Sequence, residues 1–210
     1  MILLGFALGA LLGLAAVPAI ARLPRGIPER LAQPAWTARA GSPLLLVVAG
    51  ALVGAALGAA APDRTAFALT LLLLAVLLPA TAIDVAWRVV PDTLIVVGTL
   101  GGVAILVLAD REALVPHLAA GLIGGTCAFA VALVARGGFG LGDVKVIAMT
   151  GVVLGAALPL AVVGGLVLAG IAAMPLLVVR GRGATLPLVP FLAAGALLAC
   201  LVPLHAVIAL

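Results

Sequence analysis

The sequence predicts an all-α polytopic membrane bundle of about eight spanning helices, with its N-terminus outside the cytoplasm. Three observations predict this. Of the 210 residues, 66% are hydrophobic and 9% charged, whereas soluble domains are roughly 45–50% apolar and about 25% charged. Mean hydropathy is +1.47, and the apolar runs are continuous, without the period-two alternation of a barrel strand. The 11 Lys and Arg residues lie in short loops between those runs or at the ends of the runs. The whole of 1–210 reads as a single integral membrane domain.

A hydrocarbon core of ~30 Å needs about 20 helical residues. Spans are expected at 2–22, 44–62, 65–83, 93–109, 116–135, 144–158, 159–179 and 187–208. The first has no Lys or Arg before its apolar run, and Arg22 and Arg25 follow it. That order is the reverse of a cleaved signal peptide, so it reads as a retained helix. The next loop, 23–43, is punctuated by Pro24, Pro28, Pro34 and Pro43. Pro62-Asp63 separates the second and third spans, Pro91 precedes the fourth, and Pro159 is placed between the sixth and seventh. Small residues four apart, Gly50/Gly54/Gly58, Gly98/Gly102, Gly121/Gly125 and Gly151/Gly155, are candidates for close helix approach.

Charge gives the orientation. With the N-terminus outside, the cytoplasmic side holds Arg22, Arg25, Arg30, Arg39, Arg88, Arg136, Lys145, Arg180 and Arg182. The outer side holds Arg64 and Arg111, beside Asp63 and beside Asp110 and Glu112. This is the positive-inside pattern, and a miscounted span would scramble it. The net charge of +4 is therefore a matter of topology, and nucleic acid is not expected as a partner.

Several chemistries are excluded. Cys127 and Cys200 lie in apolar runs and form no CxxC pair, so no metal site is expected. His117 and His205 map near the outer face and neither belongs to HExxH. Serine occurs once, as Ser42 in a loop, and no GxSxG is present.

What remains is acidic. The chain has seven Asp and Glu, and two polar interruptions carry aspartates on the cytoplasmic side. One runs from Ala82 to Asp92 and contains Asp84; the other is Gly138-Phe139-Gly140-Leu141-Gly142-Asp143-Val144-Lys145. Asp84 closes the third span, where the negative end of the helix dipole gives a carboxylate no capping role. Asp143 opens the sixth span behind glycines that permit a sharp bend and close approach, and also suits an N-cap. Asp92, after Pro91, reads as a helix start. If Asp84 and Asp143 meet, the two like charges share one proton, and a water between them is activated by one carboxyl while the other acts as acid. That is metal-free general acid/base hydrolysis. The rival reading is a small ion- or proton-coupled transporter using the same aspartates. It predicts broken helices in repeated halves, and no internal repeat is evident.

These motifs resemble those of the type IV prepilin leader peptidases, membrane aspartic proteases of the GxGD class. Gly140-Leu141-Gly142-Asp143-Val144-Lys145, with Ala148 and Gly151, is similar to the family's second motif; Ile83-Asp84 through Val90-Pro91-Asp92 is similar to its first. Arg22-Leu23-Pro24-Arg25 and Leu186-Pro187-Leu188-Val189-Pro190-Phe191-Leu192-Ala193 resemble two further family segments.

The resemblance implies that Asp84 and Asp143 are catalytic. It implies positioning or substrate roles for Gly140, Gly142, Lys145, Asp92 and Pro91, with no metal. The implied substrates are prepilins or pseudopilins of type IV pilus and protein secretion systems, cut after a glycine at the cytoplasmic face of the bacterial inner membrane. The loop 23–43 lacks the Cys tetrad that many members carry, which leaves N-methylation of the product, and with it any need for S-adenosylmethionine, in doubt.

Overall fold

The computed structural model describes residues 1–21, 43–135, 139–180 and 186–202. Arg22, positions 23–42 of the following loop, Arg136, Gly138, Arg182 and His205 lie outside the described residues. The described residues form α1 (Ile2–Ala21), α2 (Pro43–Ala60), α3 (Arg64–Trp87), α4 (Asp92–Ala109), α5 (Arg111–Val134), α6 (Leu141–Leu154), a 3₁₀ turn (Gly155–Ala157), α7 (Leu158–Arg180) and α8 (Val189–Leu201). No strand occurs among them. A helix satisfies its own backbone groups within one segment, which is the condition hydrocarbon imposes.

Four segments are long and apolar enough to cross a membrane: Arg64–Trp87, Asp92–Ala109, Arg111–Val134 and Leu141–Val178. Within their most apolar stretches 61% of α3 is buried, against 17% of α4 and 11% of α5. Thus α3 is central and α4 and α5 are peripheral. Leu73, Leu77 and Ala80 of α3 pack with Val146 and Met149 of α6 and with Val189 and Ala196 of α8. The peripheral helices turn Val97, Leu100, Leu108, Leu122 and Val134 outward. So broad an apolar exterior suits lipid and not water.

Glycines set the helix spacing. Gly5 and Gly9 of α1 lie directly against Gly54 and Gly50 of α2, backbone on backbone. Gly121 of α5 meets Gly151 of α6, where a Cβ on Gly151 would fall 2.6 Å from the Gly121 Cα. Gly98 and Gly102 instead admit side chains, Met149 and Val153 among them.

The boundaries differ from expectation at four points, each for a physical reason. α3 runs past Ile83 to Trp87 because Arg88 closes it, in the left-handed region at φ 55, with its N–H donated to the Asp84 carbonyl. α5 begins at Arg111, ahead of Pro116, because Asp110 Oδ1 accepts the Ala113 N–H at 3.2 Å. α6 begins at Leu141, three residues before the expected start, because the Gly140 carbonyl accepts the Asp143 and Val144 N–H groups. The break between α6 and α7 falls at Gly155, φ 56 and ψ −126, and not at Pro159. Pro159 sits in the first turn of α7, where its missing N–H has no partner to lose.

Candidate active site

Asp84 lies in the last turn of α3 and Asp143 in the first turn of α6. Both line one cavity of about 350 Å³, together with Arg88, Val89, Val90, Gly140, Leu141, Gly142 and Lys145. The charges of Asp143 and Arg88 both act on Asp84. Among the described residues Asp84 is the one buried ionisable side chain, 7% exposed; the other buried polar residues are Thr70 and Thr150. Asp63, Asp92, Asp110 and Glu112 are exposed.

Neither carboxylate is hydrogen-bonded to the other among the described residues. Each is held by a backbone amide. Asp84 Oδ2 accepts the N–H of Val189 at 3.2 Å, and Asp143 Oδ2 accepts the N–H of Gly140 at 3.2 Å. Both bonds are made by Oδ2, and both residues line the cavity. Gly140, not Asp143, is the residue before α6, and Asp143 reaches back to it from the third helical position. This is the acidic half of a capping box. The bond is local and the side chain stays half-exposed, so capping does not remove Asp143 from the cavity.

The two glycines of this motif serve by their size. Gly140 has φ −81 and ψ 147, extended backbone open to any residue, so no sharp bend requires glycine there. A Cβ on Gly140 would instead stand 3.2 Å from Asp143 Oδ2, and one on Gly142 would stand 3.3 Å from Val90 Cγ2. The first glycine leaves room for the carboxylate; the second lets the α3–α4 turn lie against α6.

Asp92 is the first residue of α4, with Pro91 as its N-cap. Its Oδ1 takes Lys145 Nζ at 2.6 Å, joining α4 to α6 beside the cavity. Their side chains are 71% and 49% exposed, so solvent screens the pair and it contributes only ~0–1 kcal/mol. A double-mutant cycle of Asp92→Ala and Lys145→Ala, read by thermal unfolding, is expected to give a coupling of ~0.2–1 kcal/mol. A coupling of several kcal/mol would show that the pair carries the fold.

The other end of α3 is chemically different. α3 has 24 residues, which at 1.5 Å each separate its ends by about 36 Å. There Asp63 Oδ1 caps α3 through the Ala66 N–H at 2.8 Å, and His117 Nδ1 lies 3.0 Å from the Val152 carbonyl oxygen. His117 thus stands away from the aspartates, as the sequence suggested. Cys127 and Cys200 are free thiols, and among the described residues no group of three or more His, Cys, Asp or Glu is placed to hold a metal. A separate cavity of about 450 Å³ is apolar, is lined mainly by residues of α5, α6 and α7, and contains neither aspartate.

Sequence reasoning singled out both carboxylates that face the cavity but missed what holds Asp84. The Val189 amide donor lies 105 positions away. The Pro-rich segment from Leu186 was noticed without any link to Asp84. Arg88 was counted for topology and not as a wall of the cavity.

Comparison with known proteins adds one match. The model of the type IV leader peptidase family aligns with residues 71–174. The chain belongs to this family. The matched segment spans both aspartates, Pro91-Asp92, the two cavity glycines and Lys145, and stops short of Val189. Family membership makes the chain a peptidase, and its long apolar helices make it a membrane protein. No match was found among curated proteins or solved structures.

Proposed function

We propose that this leader peptidase is an aspartic endopeptidase in which Asp84 and Asp143 form the catalytic pair. It removes the short basic leader from type IV prepilin-like proteins at the cytoplasmic face of the inner membrane. The observation that carries this reading is the shared cavity: a buried carboxylate and a half-buried one, from helices far apart in sequence, facing one space. One carboxylate takes a proton from a water as that water attacks the scissile carbonyl. The other carboxyl gives a proton to the carbonyl oxygen, and collapse of the tetrahedral intermediate releases the leader and the new amine. No covalent intermediate is needed.

The topology proposed with it has about eight spans and an outer N-terminus. Arg88 and Lys145 then lie on the cytoplasmic side, as both aspartates do. Asp92, Pro91, Gly140, Gly142 and Lys145 shape the entrance and do not transfer protons.

The test is incubation of purified protein with a prepilin-like peptide carrying a basic leader, a glycine and an apolar segment, followed by mass measurement. The expected product is cut once, after the glycine, and the same spectrum reports any added methyl group. An intact peptide, together with ion flux through protein-loaded vesicles, would overturn the assignment in favour of transport.

A further inference from the structure

We infer that the start of α8 is part of the active site, with the Val189 backbone amide acting as the positioning donor for Asp84. This rests on the catalytic reading of Asp84 given above and adds an element beyond the matched segment, which ends at residue 174.

The argument begins with the free donors of a helix start. The first four N–H groups of an α-helix have no partner within it and must find one elsewhere. Leu188 is the N-cap of α8, so these belong to positions 188–191. Pro190 has no N–H. The Phe191 N–H donates to the Leu188 carbonyl at 3.0 Å, as does that of Leu192, the first bond of the helix ladder. Leu188 supplies no side-chain cap. Within the first helical turn this leaves the Val189 N–H, and Asp84 Oδ2 takes it at 3.2 Å.

The surroundings make that bond consequential. Val189 is 0% exposed and Ile83, next to Asp84, is 1% exposed. Water does not compete at the amide, and a buried donor left unpaired is costly. Pro187 and Pro190 flank the donor and fix φ on either side of it, so the segment presents the amide with little freedom to lose. Asp84 is thereby fixed from two sides: its backbone by the last turn of α3, and one carboxylate oxygen by α8. The residue so held lines the cavity shared with Asp143. A mere cap needs a carboxylate anywhere near the helix start. A positioning donor needs this geometry to hold while a proton moves at Oδ1.

The experiment replaces the amide and nothing else. In the full chain, Val189 is exchanged for its α-hydroxy acid, which converts the N–H donor to an ester oxygen and keeps the side chain. The control is the same exchange at Ala196, seven residues further along α8, which removes a backbone N–H of the same helix without touching the donor to Asp84. Cleavage of the leader peptide by the Val189 ester variant is expected to lose about 10–100-fold in kcat, since small misplacements of a reacting group cost that much, with KM nearly unchanged. The Ala196 ester variant is expected to melt at lower temperature and keep kcat within about two-fold of the parent. A Val189 ester variant with parental kcat, or an Ala196 ester loss equal to that at Val189, overturns the inference.

A second readout does not depend on the ester variant folding. With ¹⁵N-valine labelling, the Val189 amide resonance is expected to shift strongly and lose exchange protection in Asp84→Ala, and to keep its protection in Asp84→Asn, whose carbonyl oxygen still accepts. An amide indifferent to Asp84→Ala overturns it. If Asp84→Asn cleaves normally, the catalytic reading itself fails, which these measurements distinguish.

Discussion

Asp84→Asn and Asp143→Asn each lower kcat/KM for leader cleavage by about 10²–10⁴-fold, the range associated with loss of a general acid or base. Both variants are expected to insert and melt as the parent does. In Asp84→Asn the carboxamide oxygen still accepts the Val189 N–H, the one bond that ties this buried side chain to α8. Asp84→Ala differs: it leaves the Val189 donor buried and unpaired, at a cost of ~1–3 kcal/mol in addition to the lost activity. A melting curve beside each activity assay separates the two effects. Parental activity in either Asn variant would remove that aspartate from the chemistry.

The second large effect is structural and lies on the helix that carries Asp143. Gly151→Ala places a Cβ 2.6 Å from the Gly121 Cα and 2.8 Å from its nitrogen. These are backbone atoms, with no rotamer to move aside, so α5 and α6 must separate. The expected loss is ~1–3 kcal/mol of stability, with α6 and its carboxylate displaced. Gly170→Ala on α7 is the contrast, because nothing lies within 4 Å of its added carbon. It is expected to be neutral or to stabilise by up to about 1 kcal/mol through helix propensity. Thermal unfolding in one detergent compares the two directly. Equal melting temperatures would mean that the Gly121–Gly151 contact does not set the helix spacing.

Much of the architecture was legible because lipid leaves the chain few options. Each apolar run had to be helical, and each of the eight helices described here falls on an expected one. The ends were less legible, since a helix stops where its last groups find partners. Arg88 ends α3 in a left-handed conformation, and nothing in an arginine announces that. Pro159 looked like the breaker between α6 and α7, but proline is at home in a first turn, and the reversal belongs to Gly155. There a Cβ would also meet the His117 ring at 2.6 Å.

The candidate site divides in the same way. Its carboxylates stood out because acids are scarce in this chain, and the Gly140–Gly142 pair stood out by spacing. Of the two reasons the sequence offered for those glycines, backbone bending gives way and close approach holds: room for Asp143 Oδ2 in one case and for Val90 in the other. The bond from Val189 to Asp84 had no local trace. It joins residues 105 positions apart through a backbone atom that every non-proline residue carries.

The convergence of two acids on one reacting centre is tested most directly by the affinity of a non-cleavable peptide with a tetrahedral secondary alcohol in place of the scissile carbonyl. It is expected to bind the parent about 10² or more times tighter than the matching uncut peptide, and to lose that advantage in Asp84→Asn and in Asp143→Asn alike. An advantage that survives either substitution would contradict a site in which both carboxyl groups grip the same centre.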